Sequence, residues 1–88
     1  MIQLINIGFG NLVNKEKIVA VLSSDSAPAK RLVIQAKEDR RVLDATQGRK
    51  TKSVMVMDSG HIVLSALQTE TLASRLDKKQ LNPAKEEG

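Results

Sequence analysis

A short basic segment, residues 48–52, carries the side chains best suited to bind a ligand. Arg49, Lys50 and Lys52 place three cations within four positions, directly before the apolar run 54–57. Such a run is typical of a buried strand, so the cations would stand at the start of that strand in fixed positions. Fixed positive charge is how a protein binds a polyanion such as a nucleic-acid backbone. The alternative is a solvated basic loop that keeps the protein soluble.

A second basic pair, Lys15 and Lys17, opens another strand-like segment. If the starts of the two strands are neighbours, this pair joins Arg49, Lys50 and Lys52 in one cationic edge. The planar guanidinium of Arg can donate two parallel hydrogen bonds to a phosphate or a guanine, whereas the Lys ammonium acts as a point charge. The five residues are the predicted nucleic-acid contacts.

Catalytic and metal chemistry are not indicated. The chain has no cysteine and one histidine, His61, at the edge of a predicted turn. Zinc needs several nitrogen or sulfur ligands, and a hydrolase needs a nucleophile paired with a base. Residues 8–13 begin like a dinucleotide-binding loop but lack its third glycine, and a strand-like segment follows them. We therefore expect a structural turn there, no enzyme, no catalytic residue, no metal, no cofactor and no small-molecule substrate.

The composition favours an assembly of several copies with an acidic partner. The 88 residues carry a net charge of +4 and a single aromatic, Phe9. A core this small, without disulfide or metal, is usually reinforced by oligomerisation. The basic charge favours nucleic acid first and anionic membrane second. Neither a membrane-spanning run nor a signal peptide is recognisable, so we expect a soluble intracellular protein.

The hydrophobic pattern predicts an α+β fold in one domain, residues 1–76, followed by a polar, disordered tail, 77–88. Strands 2–7 and 13–22 form an N-terminal hairpin around the turn 8–11, and Ser, Asp and Pro signals start a helix that runs to Arg40 or Arg41. A short strand or connector follows at 42–46. Strands 53–57 and 62–67 form a second hairpin around 58–60, and Thr69 caps a short C-terminal helix.

Several apolar side chains are predicted to contact another copy of the chain. In the second hairpin Val54 and Val56 point to one face and Met55 and Met57 to the other, so neither face is polar. The helix can cover one face, and another protomer would cover the methionines. Ile34, off the apolar stripe of the helix, and the sole aromatic Phe9 are the other predicted interface residues.

Five blocks in unbroken order resemble the RemA family of small bacterial regulators of extracellular-matrix genes. They are Leu-Ile-Asn-Ile-Gly-Phe-Gly-Asn at 4–11, Ser-Ala-Pro-x-Lys-Arg at 26–31, Asp-Ala-Thr-x-Gly-Arg at 44–49, Val-Met-Asp-Ser at 56–59 and Leu-Ser at 64–65. The resemblance spans residues 3–76. It implies a DNA-binding activator of biofilm-matrix operons, cytoplasmic and nucleoid-associated, that forms an octameric ring and binds promoter double-stranded DNA.

The resemblance also assigns DNA contacts to Arg49, Lys50 and Lys17. This chain has Lys where the family usually has Arg at positions 17 and 50, which keeps the charge but loses the planar fork. General phosphate binding should survive this change better than a bidentate base contact. Two other functions are compatible with the same basic edge: a structural assembly protein and a small RNA-binding regulator.

Overall fold

The computed structural model describes residues 3–77, which form an α+β fold of six strands and two helices. In chain order the elements are β1 (Leu4–Asn6), β2 (Leu12–Asn14), a 3₁₀ turn (Lys15–Lys17), β3 (Ile18–Ser23), α1 (Ala27–Glu38), β4 (Val42–Asp44), β5 (Ser53–Met57), β6 (Ile62–Ser65) and α2 (Thr69–Asp77). Within residues 3–77, neither helix is long and apolar enough to cross a bilayer. Asp77, at which the predicted tail 77–88 begins, is the last residue of α2, and residues 78–88 lie outside the described residues.

The strands form two sheets. Strands β1 and β2 pair as an antiparallel hairpin, and the others form a four-stranded sheet in the order β3-β5-β6-β4. In this larger sheet β4 runs parallel to β6, while β5 is antiparallel to both β3 and β6. The second hairpin, around residues 58–60, is thus confirmed, and the short strand predicted at 42–46 is β4.

The N-terminal hairpin differs from the prediction in its second strand. The segment 13–22 is not continuous, because the Asn14 side chain accepts a hydrogen bond from the backbone N–H of Glu16 at 3.0 Å and starts the 3₁₀ turn. The turn moves the chain from the small sheet to the large one, where Ile18 begins β3. Lys15 and Lys17 therefore lie in a turn between two sheets and do not open a strand of the hairpin.

Helix α1 covers one face of the large sheet. Ser26 caps it by accepting a hydrogen bond from the Ala29 backbone N–H at 3.3 Å. The predicted stripe packs on the sheet: Ala29, Leu32, Val33 and Ala36 contact Val54, Ile62 and Leu64. The helix ends at Glu38, earlier than predicted, and Arg40 already has a positive φ of 60°, which a helix cannot continue through.

The other face of the large sheet is covered by β1 and α2 of the same chain. Met55 and Val63 pack there with Ile5, Ile7 and Leu72. Across this boundary the Ser65 hydroxyl donates to the Ile7 carbonyl at 2.8 Å, and Arg75 Nη1 donates to the Asn6 carbonyl at 2.6 Å. Residues of β6 and α2 therefore hold the N-terminal hairpin in place.

This packing corrects one predicted interface residue. Met55 is fully buried inside the chain, so its side chain has no surface left for another copy. Met57 is only partly buried beside the same core. Phe9 and Ile34 are 49% and 61% exposed, and their contacts with another copy stay predictions, as does the ring.

Candidate nucleic-acid interface

Arg49 is presented by a tight turn, residues 46–49. Its backbone N–H donates to the Thr46 carbonyl at 3.0 Å, and the two central residues, Gln47 and Gly48, have φ values of 55° and 79°. Two successive positive φ values are the signature of a type I′ turn, in which the second position favours glycine. Arg49 thus leaves the turn in a fixed direction with its side chain exposed to solvent.

The base of this turn is fixed by Asp44 and Thr46. The Thr46 hydroxyl donates to Asp44 Oδ1 at 2.6 Å, and the Thr46 backbone N–H donates to the same oxygen at 2.9 Å. The hydroxyl bond, followed by the backbone bond, holds the pKa of the Asp44 carboxyl below its ordinary value. Since Thr46 is only 2% exposed, the turn starts from a buried anchor.

The end of the segment that carries Lys50 and Lys52 is held by hydrogen bonds of Thr51 and Lys52. The Lys52 N–H donates to the Ser65 carbonyl at 2.9 Å, and the Lys52 carbonyl accepts from the Ser24 N–H at 3.2 Å. The Ser24 hydroxyl also donates to the Thr51 carbonyl at 2.9 Å. The backbone is therefore ordered while the side chains of Lys50 and Lys52 stay exposed, as predicted for cations at the start of a strand.

A second turn with the same backbone geometry lies beside the first. In the turn 8–11 the Asn11 N–H donates to the Gly8 carbonyl at 3.0 Å, and the central residues Phe9 and Gly10 have φ values of 54° and 79°. The Phe9 ring centroid lies 5.8 Å from Cζ of Arg49, a cation–π distance. The sequence pattern indicated a core or interface residue at Phe9 and gave no sign of this pairing.

The two turns border an open cleft of about 430 Å³, which we call the basic cleft. Its lining combines three cations, one aromatic ring and a small apolar floor: Gly8, Phe9, Arg49, Lys50, Lys52, Ala66 and Leu67. Within the described part of the chain, this lining has three cations and no carboxylate, which favours a polyanionic ligand. The apolar floor is compatible with a sugar or base edge.

Lys15 and Lys17 lie elsewhere, which corrects the prediction of one cationic edge of five residues. Strands β3 and β5 are antiparallel, so Ile18 is opposite Met57, whereas Ser53 at the other end of β5 is opposite Ser23. The four steps along β5 separate the two groups by about 14 Å at roughly 3.4 Å per residue. Among residues 3–77 of one chain, the cations of the basic cleft are therefore Arg49, Lys50 and Lys52.

The environment of Lys17 is also different. Its Nζ lies 3.7 Å from Asp58 Oδ2, and its carbonyl accepts a hydrogen bond from the Asp58 N–H at 2.8 Å. Both side chains of this ion pair are more than half exposed, so the pair contributes little to stability. Asp58 offsets part of the positive charge that Lys17 would offer to a nucleic acid.

Comparisons with known proteins agree with the blocks noted in the sequence. The chain is similar to a regulatory protein of Alkaliphilus metalliredigens, 54% identical over 81 residues that cover 92% of this chain and 87% of the relative. A regulatory protein of Dictyoglomus turgidum is 59% identical over 75 residues, 85% and 88% of the two chains. One of Bacillus cereus strain B4264 is 53% identical over 78 residues, 89% and 90%.

The names of these relatives indicate a regulatory protein rather than an enzyme. The family profile described as RemA-like, extracellular matrix regulatory protein A-like, matches residues 4–76, which include both turns of the basic cleft and all six strands. The chain therefore belongs to the RemA-like family.

Proposed function

We propose that this protein is a DNA-binding transcriptional regulator that binds the phosphate backbone of double-stranded DNA through the basic cleft. The observation that carries the proposal is the type I′ turn that presents Arg49 from the buried Thr46 anchor. A rigid turn of this kind loses little conformational freedom when a phosphate binds, so more of the electrostatic attraction appears as affinity. Lys50 and Lys52 add two further charges on the same exposed segment.

The proposal includes an assembly of several copies. Three cations on one chain bind DNA weakly at physiological salt, but repeating the basic cleft in a homo-oligomer raises the avidity by orders of magnitude. The exposed apolar residue Ile34 on α1 supplies surface for such an assembly. A ring, octameric in the resemblance described above, would place the copies of the cleft along one DNA path.

The family match supports the regulatory part of the proposed role, and the rest follows from the resemblance described in the sequence analysis. A RemA-like regulator of this type would activate extracellular-matrix operons of a biofilm and act in the cytoplasm, at the nucleoid. Lys17 would be an accessory phosphate contact, weakened by Asp58. Sequence preference would come from the deformability of the DNA, since no helix among residues 3–77 stands out as a long reading helix.

The experiment is a titration of a labelled promoter-length duplex at several salt concentrations, with molar mass measured by light scattering on the same samples. We expect an oligomer of defined mass and an affinity that falls steeply with salt. Arg49→Ala should weaken binding by about 1–3 kcal/mol and flatten the salt dependence.

The matched control is Arg40→Ala. Arg40 is also exposed, but it lies just before β4, at the end of this strand that is far from Asp44. Duplex DNA should bind better than single-stranded RNA or anionic vesicles. A protein that ignores duplex DNA at low salt would contradict the proposal, and so would an Arg49 variant that binds as well as the Arg40 variant. Preferred binding of RNA would assign the cleft to the RNA-binding alternative.

A further inference from the structure

We infer that Phe9 is a positioning residue for Arg49: its ring holds the guanidinium over the basic cleft, in the orientation that meets a phosphate. The inference rests on the proposed function, because it concerns how the same cleft engages DNA. It assigns a role to a residue that sequence reasoning placed in the core or in an oligomer interface.

The contact joins two fixed points. Cζ of Arg49 lies 5.8 Å from the Phe9 ring centroid, inside the reach of roughly 6 Å at which a cation is attracted to an aromatic face. Each side chain leaves a type I′ turn closed by a backbone hydrogen bond of 3.0 Å. Because neither turn can shift easily, the ring restricts a long side chain that would otherwise sample many rotamers.

The backbone at Phe9 argues against a purely structural role. Its φ of 54° lies in the left-handed region, which disfavours residues with a side chain. At this place in a type I′ turn asparagine, aspartate or glycine fits with less strain. The ring is not buried either, since 49% of Phe9 is exposed.

The turn is nevertheless well braced around the ring. The Gly8 N–H donates to Asn6 Oδ1 at 2.7 Å, and Asn11 Nδ2 donates to the Gly8 carbonyl at 3.0 Å. These bonds hold the strained residue in place without using its side chain. The Phe9 side chain can therefore contact the neighbouring turn, where it lies against the guanidinium of Arg49.

The test combines a spectroscopic signal with a double-mutant cycle on the full chain. In NMR spectra of the free protein, the side-chain Nε–Hε signal of Arg49 should show a ring-current shift that disappears in Phe9→Leu and persists in Phe9→Tyr. Phe9→Leu should weaken duplex binding by about twofold to fivefold, the range expected for an exposed cation–π pair. The same substitution should have no effect in the Arg49→Ala background.

The control is Leu12→Ala, which removes another half-exposed apolar side chain from the same hairpin. It should leave both the Arg49 signal and the affinity unchanged. Equal losses from Phe9→Leu with and without Arg49 would overturn the inference, and so would an unshifted Arg49 signal in the unmodified protein. A lower molar mass of Phe9→Leu would overturn it in favour of an oligomer contact. If Arg49→Ala itself costs no affinity, the proposed function fails, while the ring-current shift still decides whether Phe9 holds the guanidinium.

Discussion

Thr46 donates two hydrogen bonds to one oxygen of Asp44, from its hydroxyl at 2.6 Å and from its backbone N–H at 2.9 Å. The pair connects the end of β4 to the turn that carries Arg49. Thr46→Val keeps the shape of the side chain but removes the hydroxyl bond. We expect the free energy of unfolding to fall by about 1 kcal/mol. Chemical denaturation measures this loss. Thr51→Val, the same change at a half-buried threonine, should cost less, and equal costs would contradict the role of the Asp44 bond.

Stability should depend on pH through Asp44. Hydrogen bonds from Thr46 lower the pKa of this carboxyl in the folded protein, whereas the unfolded chain has the ordinary value of about 3.9. A depressed folded pKa stabilises the protein above the unfolded value, and this contribution is lost as the pH falls through the folded value.

The measurement compares the free energy of unfolding of the protein and of Asp44→Asn across the acid range. The difference should be constant above about pH 5 and should shrink as the pH falls below about 4. A difference that is the same at neutral and strongly acid pH would mean that the charge of Asp44 does not matter.

Gly48 is required by the backbone of the Arg49 turn. It has a φ of 79°, and a Cβ at this position would have no heavy atom of residues 3–77 within 4 Å, so we expect the cost of Gly48→Ala to be conformational. We expect a loss of about 1–2 kcal/mol in stability and weaker duplex binding, because Arg49 changes direction.

Gly10→Ala is the matched variant for this prediction. Gly10 has the same φ of 79° and equally open surroundings in the Phe9 turn. Gly10→Ala should lower the stability measured by thermal unfolding about as much as Gly48→Ala does. It should lower the affinity for duplex DNA less, since its turn carries no cation. A larger loss of affinity from Gly10→Ala than from Gly48→Ala would contradict this order.

The two groups of cations should act independently in one chain. Lys17 and Arg49 lie near opposite ends of β5, about 14 Å apart along the strand. The losses in duplex affinity from Lys17→Ala and Arg49→Ala should add within about 0.5 kcal/mol in a double-mutant cycle. Lys17→Ala should cost less, because Asp58 already offsets its charge. A strong coupling would instead show that assembly brings Lys17 of one copy to the basic cleft of another.

Local patterns were enough to predict most elements of the fold. The stripe Ala29, Leu32, Val33 and Ala36 and the turn at 58–60 depend on residues close in sequence, and both occur as predicted. The start of the 3₁₀ turn at Asn14 was missed because its charged residues are equally compatible with the edge of a strand. The burial of Met55 within its own chain could not be predicted. Both faces of its hairpin are apolar, and only long-range packing decides what covers them.

The candidate site shows the same division. The cations Arg49, Lys50 and Lys52 are adjacent in sequence, so their grouping was predictable. Whether Lys17 joins them depends on the direction in which β3 runs beside β5, which the hydrophobic pattern does not specify. The approach of Phe9 to Arg49 depends on how the N-terminal hairpin docks, and no local pattern contains that information.

The bond from Ser65 to Ile7 joins residues 58 positions apart, and we infer from it an order in which parts of the domain fold. Contacts between distant residues require a long loop to close, so they form late in folding. Helix α2 supplies Leu72 and Arg75 to the same junction. We therefore expect the N-terminal hairpin to dock only after α2 has formed. We therefore expect the turn that carries Arg49 to form before the N-terminal hairpin docks and brings Phe9 to Arg49.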